Sequence, residues 1–325
     1  MIEIKYIEKL LFLTYLIFVI LGIKEFTIWS QITDILVPND MELNIDTIIG
    51  MIATNHPHTL RVMLITPFYI ISEYFNYDIK LFFSIVLVIL IFITYWVNVS
   101  ILEKYIARKK LLFFLIFLIA LSSIMNGRIL FSILGNTVLL LLLYNNFYVK
   151  EKFKWYKNIF LFIVSLCLVS VSSGTFTVFL FTIFIFYILQ NLVQLPYISK
   201  KILWMFILFI LMILLILPVI IVFIEKNLNY YDGSVLQMLS HGAGGYLLEY
   251  FYLIFPILSI FILLLPIGFF YIKRNNFLIL PLSMIISSIT IGLFGYSSLV
   301  SGISAYLIFI YMFIYTKRYK SLQYV

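Results

Sequence analysis

The chain has 325 residues, of which 64% are apolar and only 11% charged, and its formal net charge is +8. Soluble proteins carry about a quarter charged residues, so this composition excludes a water-solvated globule and makes a bilayer the solvent for most of the chain. The positive charge does not call for nucleic acid, because the basic residues stand in short clusters between apolar runs, where membrane orientation accounts for them.

The first predicted span covers residues 8–25. Lys5 and Lys9 ahead of it are offset by Glu3 and Glu8, and no small-residue cleavage site follows Gly22, so it reads as a retained anchor. Further spans are predicted at 79–101, 111–125, 128–145, 158–173, 175–193, 202–224, 248–271, 277–294 and 299–316. The expected fold class is all-α: a polytopic membrane protein with about ten transmembrane helices forming one domain over 1–325. The single Cys167 lies inside an apolar run, which leaves no disulfide framework or cysteine metal cluster.

One orientation satisfies every loop. With both termini cytoplasmic, the inner segments hold Lys5 and Lys9, then Lys104, Arg108, Lys109 and Lys110, then Lys150, Lys152, Lys154 and Lys157. Lys200, Lys201, Lys273, Arg274, Lys317, Arg318 and Lys320 complete the set, which is 17 of the 22 basic residues. Such a bias sets topology. The stretch 59–75 carries Arg61, Pro67 and Glu73, and letting it cross would place the basic segment 103–110 outside. It is therefore expected to lie on the outer face as an amphipathic or re-entrant helix. Residues 26–78 then form a large external loop, and 225–247 a second, glycine-containing one. Very tight external turns are expected at Met125-Asn126-Gly127-Arg128, Ser172-Ser173-Gly174 and Gly295-Tyr296-Ser297-Ser298.

Ionisable groups gather on that external face. The first loop offers Asp34, Asp40, Glu42 and Asp46, then His56, His58 and Arg61; Arg128 starts the fourth span, and Asp232 and His241 sit in the second loop. A carboxylate can take the proton of an attacking sugar hydroxyl, and the planar fork of arginine suits phosphate or pyrophosphate. Plainer readings stand beside these. Loop acids are commonly solvated surface, and two histidines around Pro57 make a weak metal pattern. Arg61 and Glu73 suit the polar edge of an interfacial helix, and Arg128 suits snorkelling to headgroups. His241 lies in SHGAGG, where glycines allow close approach of a ligand or simply make a flexible loop. A nucleotide-binding glycine loop, paired-cysteine motifs and a serine nucleophile elbow are all missing from the sequence.

The stretch HPHTLRVMLITPFYIISEYFNYDIKLFFSIVLVILIFI (56–93) resembles the loop-to-span passage of EpsG-like and Wzy-type polysaccharide polymerases. SSIMNGRILFSILG together with VSVSSGTFTVFLFTIFIFYI, within 122–188, is similar to their Arg-bearing hairpin pair, Arg128 matching the external arginine. Ser172-Ser173-Gly174 departs from a histidine common there. The layout is similar to GT-C membrane glycosyltransferases. The resemblance implies a bacterial plasma-membrane enzyme acting on a polyprenyl-pyrophosphate-linked oligosaccharide at the outer leaflet. Arg128 and Arg61 would hold the pyrophosphate, Asp40 or Asp46 would be the base, and His241 would assist. Asp34, His56 and His58 are further candidates.

No cofactor or nucleotide is called for, no metal ligands are assigned, and metal assistance is left open. Expected partners are membrane lipid and a chain-length regulator or flippase. Three alternatives remain in view: a transferase of single sugars from a polyprenyl-monophosphate donor, a lipid-linked oligosaccharide flippase or other transporter, and a non-catalytic subunit of an envelope complex. Transporters tend to bury ionisable groups at the membrane midplane, and the predicted spans hold almost no charge there.

Overall fold

The structure is a computed structural model that describes residues 2–21, 44–53, 59–122, 127–150, 152–194, 225, 276–292 and 296–315. Every regular element among them is helical. That follows from the sequence: in an apolar solvent each backbone N–H and C=O must be satisfied within its own segment, and a helix does so. Among the described residues three helices are long and apolar enough to cross a membrane, at Leu81–Leu102, Ile129–Tyr148 and Gly174–Asn191. Shorter apolar helices lie at Trp155–Val169, Asn276–Gly292 and Ile303–Ile314. The predicted spans 202–224 and 248–271 fall outside the described residues.

Contacts divide the chain into two compact units, 1–172 with 307–325, and 173–306. The first contains α1 (Ile2–Ile20), α2 (Ile45–Ala53), α3 (Thr59–Tyr74), α4 (Ile79–Leu102), α5 (Arg108–Ser122), α6 (Gly127–Tyr148) and α7 (Trp155–Val169). Helix α6 is its central post, with 89% of its apolar window buried inside the protein. It packs against α4 and α7. At Gly135 a side chain would meet Val169 Cγ1 at 2.7 Å and the Ser165 carbonyl at 2.9 Å, so the missing Cβ lets α7 approach closely. Ser165 Oγ donates to the Gly135 carbonyl at 2.5 Å across the same contact.

Helix directions in this unit follow from a few pairs. Phe12 of α1 meets Phe92 of α4 edge-on at 4.7 Å, and Glu8 meets Tyr95, so these two helices run antiparallel. Glu8 also meets Arg108 at the start of α5, while Tyr15 reaches Ser122 at its end, so α1 and α5 run parallel. The start of α1, the α4–α5 turn and the α6–α7 turn therefore share one end of the unit. The basic segment 103–110 lies there together with Lys150 and residues 152–157. Tyr311, in the helix that closes the described chain, donates to the Lys110 carbonyl at 2.9 Å at the same end. The starts of α4 and α6 and the end of α7 lie opposite.

The stretch expected to lie on the surface forms a helix of its own, α3, separated from α4 by a turn in which Asn76 adopts φ 51°. Its 16 residues span about 24 Å at 1.5 Å each, one residue more than α5 or α7, so its length alone does not set it apart from them. Pro67 inside it removes one helical hydrogen bond. Phe68 packs on Phe82 and Phe83 in the first turn of α4.

The second unit contains α8 (Ser173–Gln194), a 3₁₀ turn at Asn276–Leu278, α9 (Ile279–Gly292), α10 (Tyr296–Ser301) and the start of α11 (Ile303–Tyr315). Helix α9 packs along α8. Ser283, Ser287 and Ser288 of α9 are fully buried, and each hydroxyl donates to a carbonyl three or four residues back. Small side chains that satisfy themselves this way permit close helix packing in an apolar setting. The run predicted as one span at 299–316 is divided at Gly302, where a Cβ would meet Ser288 Oγ at 2.5 Å.

Candidate functional site

Two of the described candidates, Asp46 and Arg61, lie on the segment that precedes α4. Asn44 caps α2: its side-chain oxygen accepts from the Thr47 N–H and the Thr47 hydroxyl, both at 2.7 Å. Asp46 then stands exposed in the first turn of α2, where a carboxylate complements the positive helix end. The Thr59 hydroxyl donates to the Met51 carbonyl at 3.2 Å and ties the start of α3 to α2. Two residues after Thr59, Arg61 is buried, 5% exposed, beside the fully buried Val62 and Ile65. A guanidinium so enclosed is costly unless it is used or matched. On the same helix Met63, Ile70, Ile71 and Tyr74 are exposed, while Val62, Ile65, Thr66 and Ser72 are buried. Helix α3 thus has an outer apolar face and an inner face that includes the arginine.

Arg128 lies in the first turn of α6. The start of α6 is at the end of the unit where α3 leads into α4. Of the Ser172-Ser173-Gly174 stretch, Ser173 and Gly174 already belong to α8, which starts at Ser173. Asp34, Asp40, Glu42, His56, His58, Asp232 and His241 lie outside the described residues. Among the described residues no three of His, Cys, Asp and Glu gather closely enough to hold a metal ion.

The sequence reading missed a polar cluster at the opposite, basic end. Glu8, only 3% exposed, accepts from Arg108 Nε at 2.8 Å, Arg108 Nη2 at 2.7 Å and Tyr95 Oη at 2.7 Å. Arg108 also lies 3.6 Å from Glu103. The hydrogen bond to Glu8 holds the Arg108 guanidinium above its usual pKa. A two-pronged arginine–carboxylate contact is among the stronger polar interactions. It joins α1, α4 and α5 at one point. The available signal was a carboxylate at the head of one apolar run and an arginine at the head of another.

Comparison with known protein families, curated proteins and solved structures finds no match for this chain.

Proposed function

We propose that this protein is a glycan polymerase of a bacterial plasma membrane. It would transfer a polyprenyl-pyrophosphate-linked oligosaccharide onto the next lipid-linked repeat, in O-antigen, capsule or exopolysaccharide synthesis. The observation that supports it most is the α2–α3 pair. A capped helix with Asp46 in its first turn is tied to a helix with buried Arg61, and both precede a long apolar span. That pair leads into the end of the unit where the helix of Arg128 begins.

In this scheme a carboxylate, Asp40 or Asp46, takes the proton of the acceptor sugar hydroxyl. The hydroxyl oxygen bonds to the anomeric carbon of the donor glycan, and the bond from that carbon to the pyrophosphate oxygen breaks. The departing lipid pyrophosphate keeps the electron pair, and Arg128 and Arg61 stabilise its charge. His241 assists from the second loop. The chain has no nucleotide site in this scheme, and the energy comes from the donor's own pyrophosphate link. Ten crossings with both termini cytoplasmic complete the proposed topology.

The test is reconstitution in liposomes with a purified polyprenyl-pyrophosphate-linked repeat, products being resolved by size. A ladder of repeats supports polymerisation. Addition of one sugar from a polyprenyl-monophosphate donor assigns the single-sugar transferase instead. Movement of an intact lipid-linked oligosaccharide across the bilayer, with no new glycosidic bond, assigns a flippase.

A further inference from the structure

The turn between α6 and α7 is built more firmly than its length requires. Asn145, in the last turns of α6, accepts the Phe153 N–H on its side-chain oxygen at 2.6 Å. The Asn158 amide donates to Asn146 Oδ1 at 3.1 Å, joining the first turn of α7 back to α6. Held on this frame, Lys150, Lys152, Lys154 and Lys157 are all exposed. Lys157 Nζ lies 4.0 Å from the centre of the Phe153 ring and Lys154 Nζ 6.0 Å from that of Tyr156, so the two are steadied over aromatic faces. Trp155 and Tyr156 beside them are 74% and 56% exposed. The apolar exposure continues along α7 at helical spacing through Ile159, Phe160 and Ile163.

Amphipathic rings at the level where an apolar face meets a cluster of cations are the pattern of a membrane–water boundary. Lysines in that position attract anionic headgroups over distances of about a Debye length. The neighbouring basic segment differs: its Arg108 is already engaged by Glu8 and Glu103. We propose that the α6–α7 turn is a binding site for an anionic phospholipid. The headgroup phosphate lies among Lys150, Lys152, Lys154 and Lys157, and the acyl chains run along Ile159, Phe160 and Ile163. The site requires α6 to cross a bilayer and is independent of glycan transfer, so the two can fail separately.

Native mass spectrometry of the full chain in detergent, with phosphatidylglycerol or phosphatidylcholine added, reads the retained lipid directly. Wild type should keep several-fold more phosphatidylglycerol than phosphatidylcholine. The variant K150Q/K152Q/K154Q/K157Q should lose that preference, while K104Q/K109Q/K110Q should keep it. Equal retention of the two lipids by wild type, an unchanged preference in the four-lysine variant, or equal loss in both variants overturns the site. Should the four-lysine variant not fold, wild type alone decides. Its preference should fall steeply as salt is raised to about 1 M, where the Debye length is about 3 Å, and persistence at that salt overturns the proposal. Displacement of the lipid by millimolar inorganic phosphate shows a simple anion site and also overturns it.

Discussion

Arg108 grips Glu8 with two parallel hydrogen bonds, Nε to Oε1 at 2.8 Å and Nη2 to Oε2 at 2.7 Å, across 100 residues of chain. Tyr95 completes the grip from α4 at 2.7 Å. Removing the arginine leaves a buried carboxylate without its countercharge, a change that costs about 3–5 kcal/mol when the pair is well buried. Arg108 itself is 20% exposed, which places the expected loss at the lower end. Arg108→Ala should therefore lower the thermal midpoint of the purified protein clearly, and Glu8→Gln should lower it less, because the amide still accepts from Tyr95. The double variant should be no worse than Arg108→Ala. Additive losses in this cycle would show that the two residues act independently.

Two glycines should respond oppositely to the same substitution. At Gly135 the new Cβ meets α7 atoms at 2.7–3.0 Å, two of them backbone or Cβ atoms that cannot swing away. Gly135→Ala should destabilise by about 1–3 kcal/mol, the usual cost of overpacking. At Gly50 nothing lies within 4 Å, and alanine is a better helix former by about 1 kcal/mol. Gly50→Ala should leave the thermal midpoint unchanged or slightly raised. A stable Gly135→Ala protein would mean that α6 and α7 can separate at little cost.

Topology has a direct measure. With Cys167 replaced by serine, single cysteines placed after residues 40, 127, 173, 237 and 297 should react with an impermeant reagent from outside. Those placed after 107, 153, 199 and 274 should react only after the membrane is opened. External labelling within 103–110 would show that α3 crosses and would invert every later loop.

The arginines separate charge from shape. If Arg128 and Arg61 hold pyrophosphate, Arg128→Lys and Arg61→Lys should each lose most polymer on a gel at matched membrane expression, because lysine keeps the charge but lacks the planar fork. A normal ladder from Arg128→Ala would make that residue a snorkelling anchor. Because Arg61 is buried, its variants need a parallel reading of thermal stability, and lost activity counts only where the fold is retained.

The acids separate catalysis from solvation. Asp40→Asn should reduce polymer formation by about 10²–10⁴-fold if Asp40 is the general base. Asp46 already has a structural use in the first turn of α2, and its loss there costs about 0.3–1 kcal/mol at most. Asp46→Asn should then polymerise at close to the wild-type rate. The reverse result would exchange the two roles. Normal polymer from Asp34→Asn, Asp40→Asn, Glu42→Gln and Asp46→Asn alike would remove the first loop from the chemistry.

Much of the helical layout was legible because apolar solvent leaves the backbone few options. The runs 79–101 and 59–75 reappear as Ile79–Leu102 and Thr59–Tyr74, bounded by the Phe75–Asp78 turn. Helix α2 was not marked out within the external loop 26–78, although Asn44 is a residue type that commonly caps helices. The break at Gly302 was not legible, since it depends on the approach of Ser288 rather than on hydropathy. Nor was the Glu8–Arg108 pair, which joins residues that no local pattern relates. Counting both as basic-end residues placed them on the same side but said nothing of their meeting.

That pairing also imposes an order on biosynthesis. Glu8 leaves the ribosome 100 residues before Arg108, so its carboxylate is without that partner while α4 is being made. Tyr95 arrives earlier and offers one hydrogen bond but no charge. Only when the first residues of α5 emerge does α1 gain the partner that lets Glu8 be buried. A nascent chain halted before residue 108 therefore carries an acid that lacks the arginine it is buried against in the folded protein.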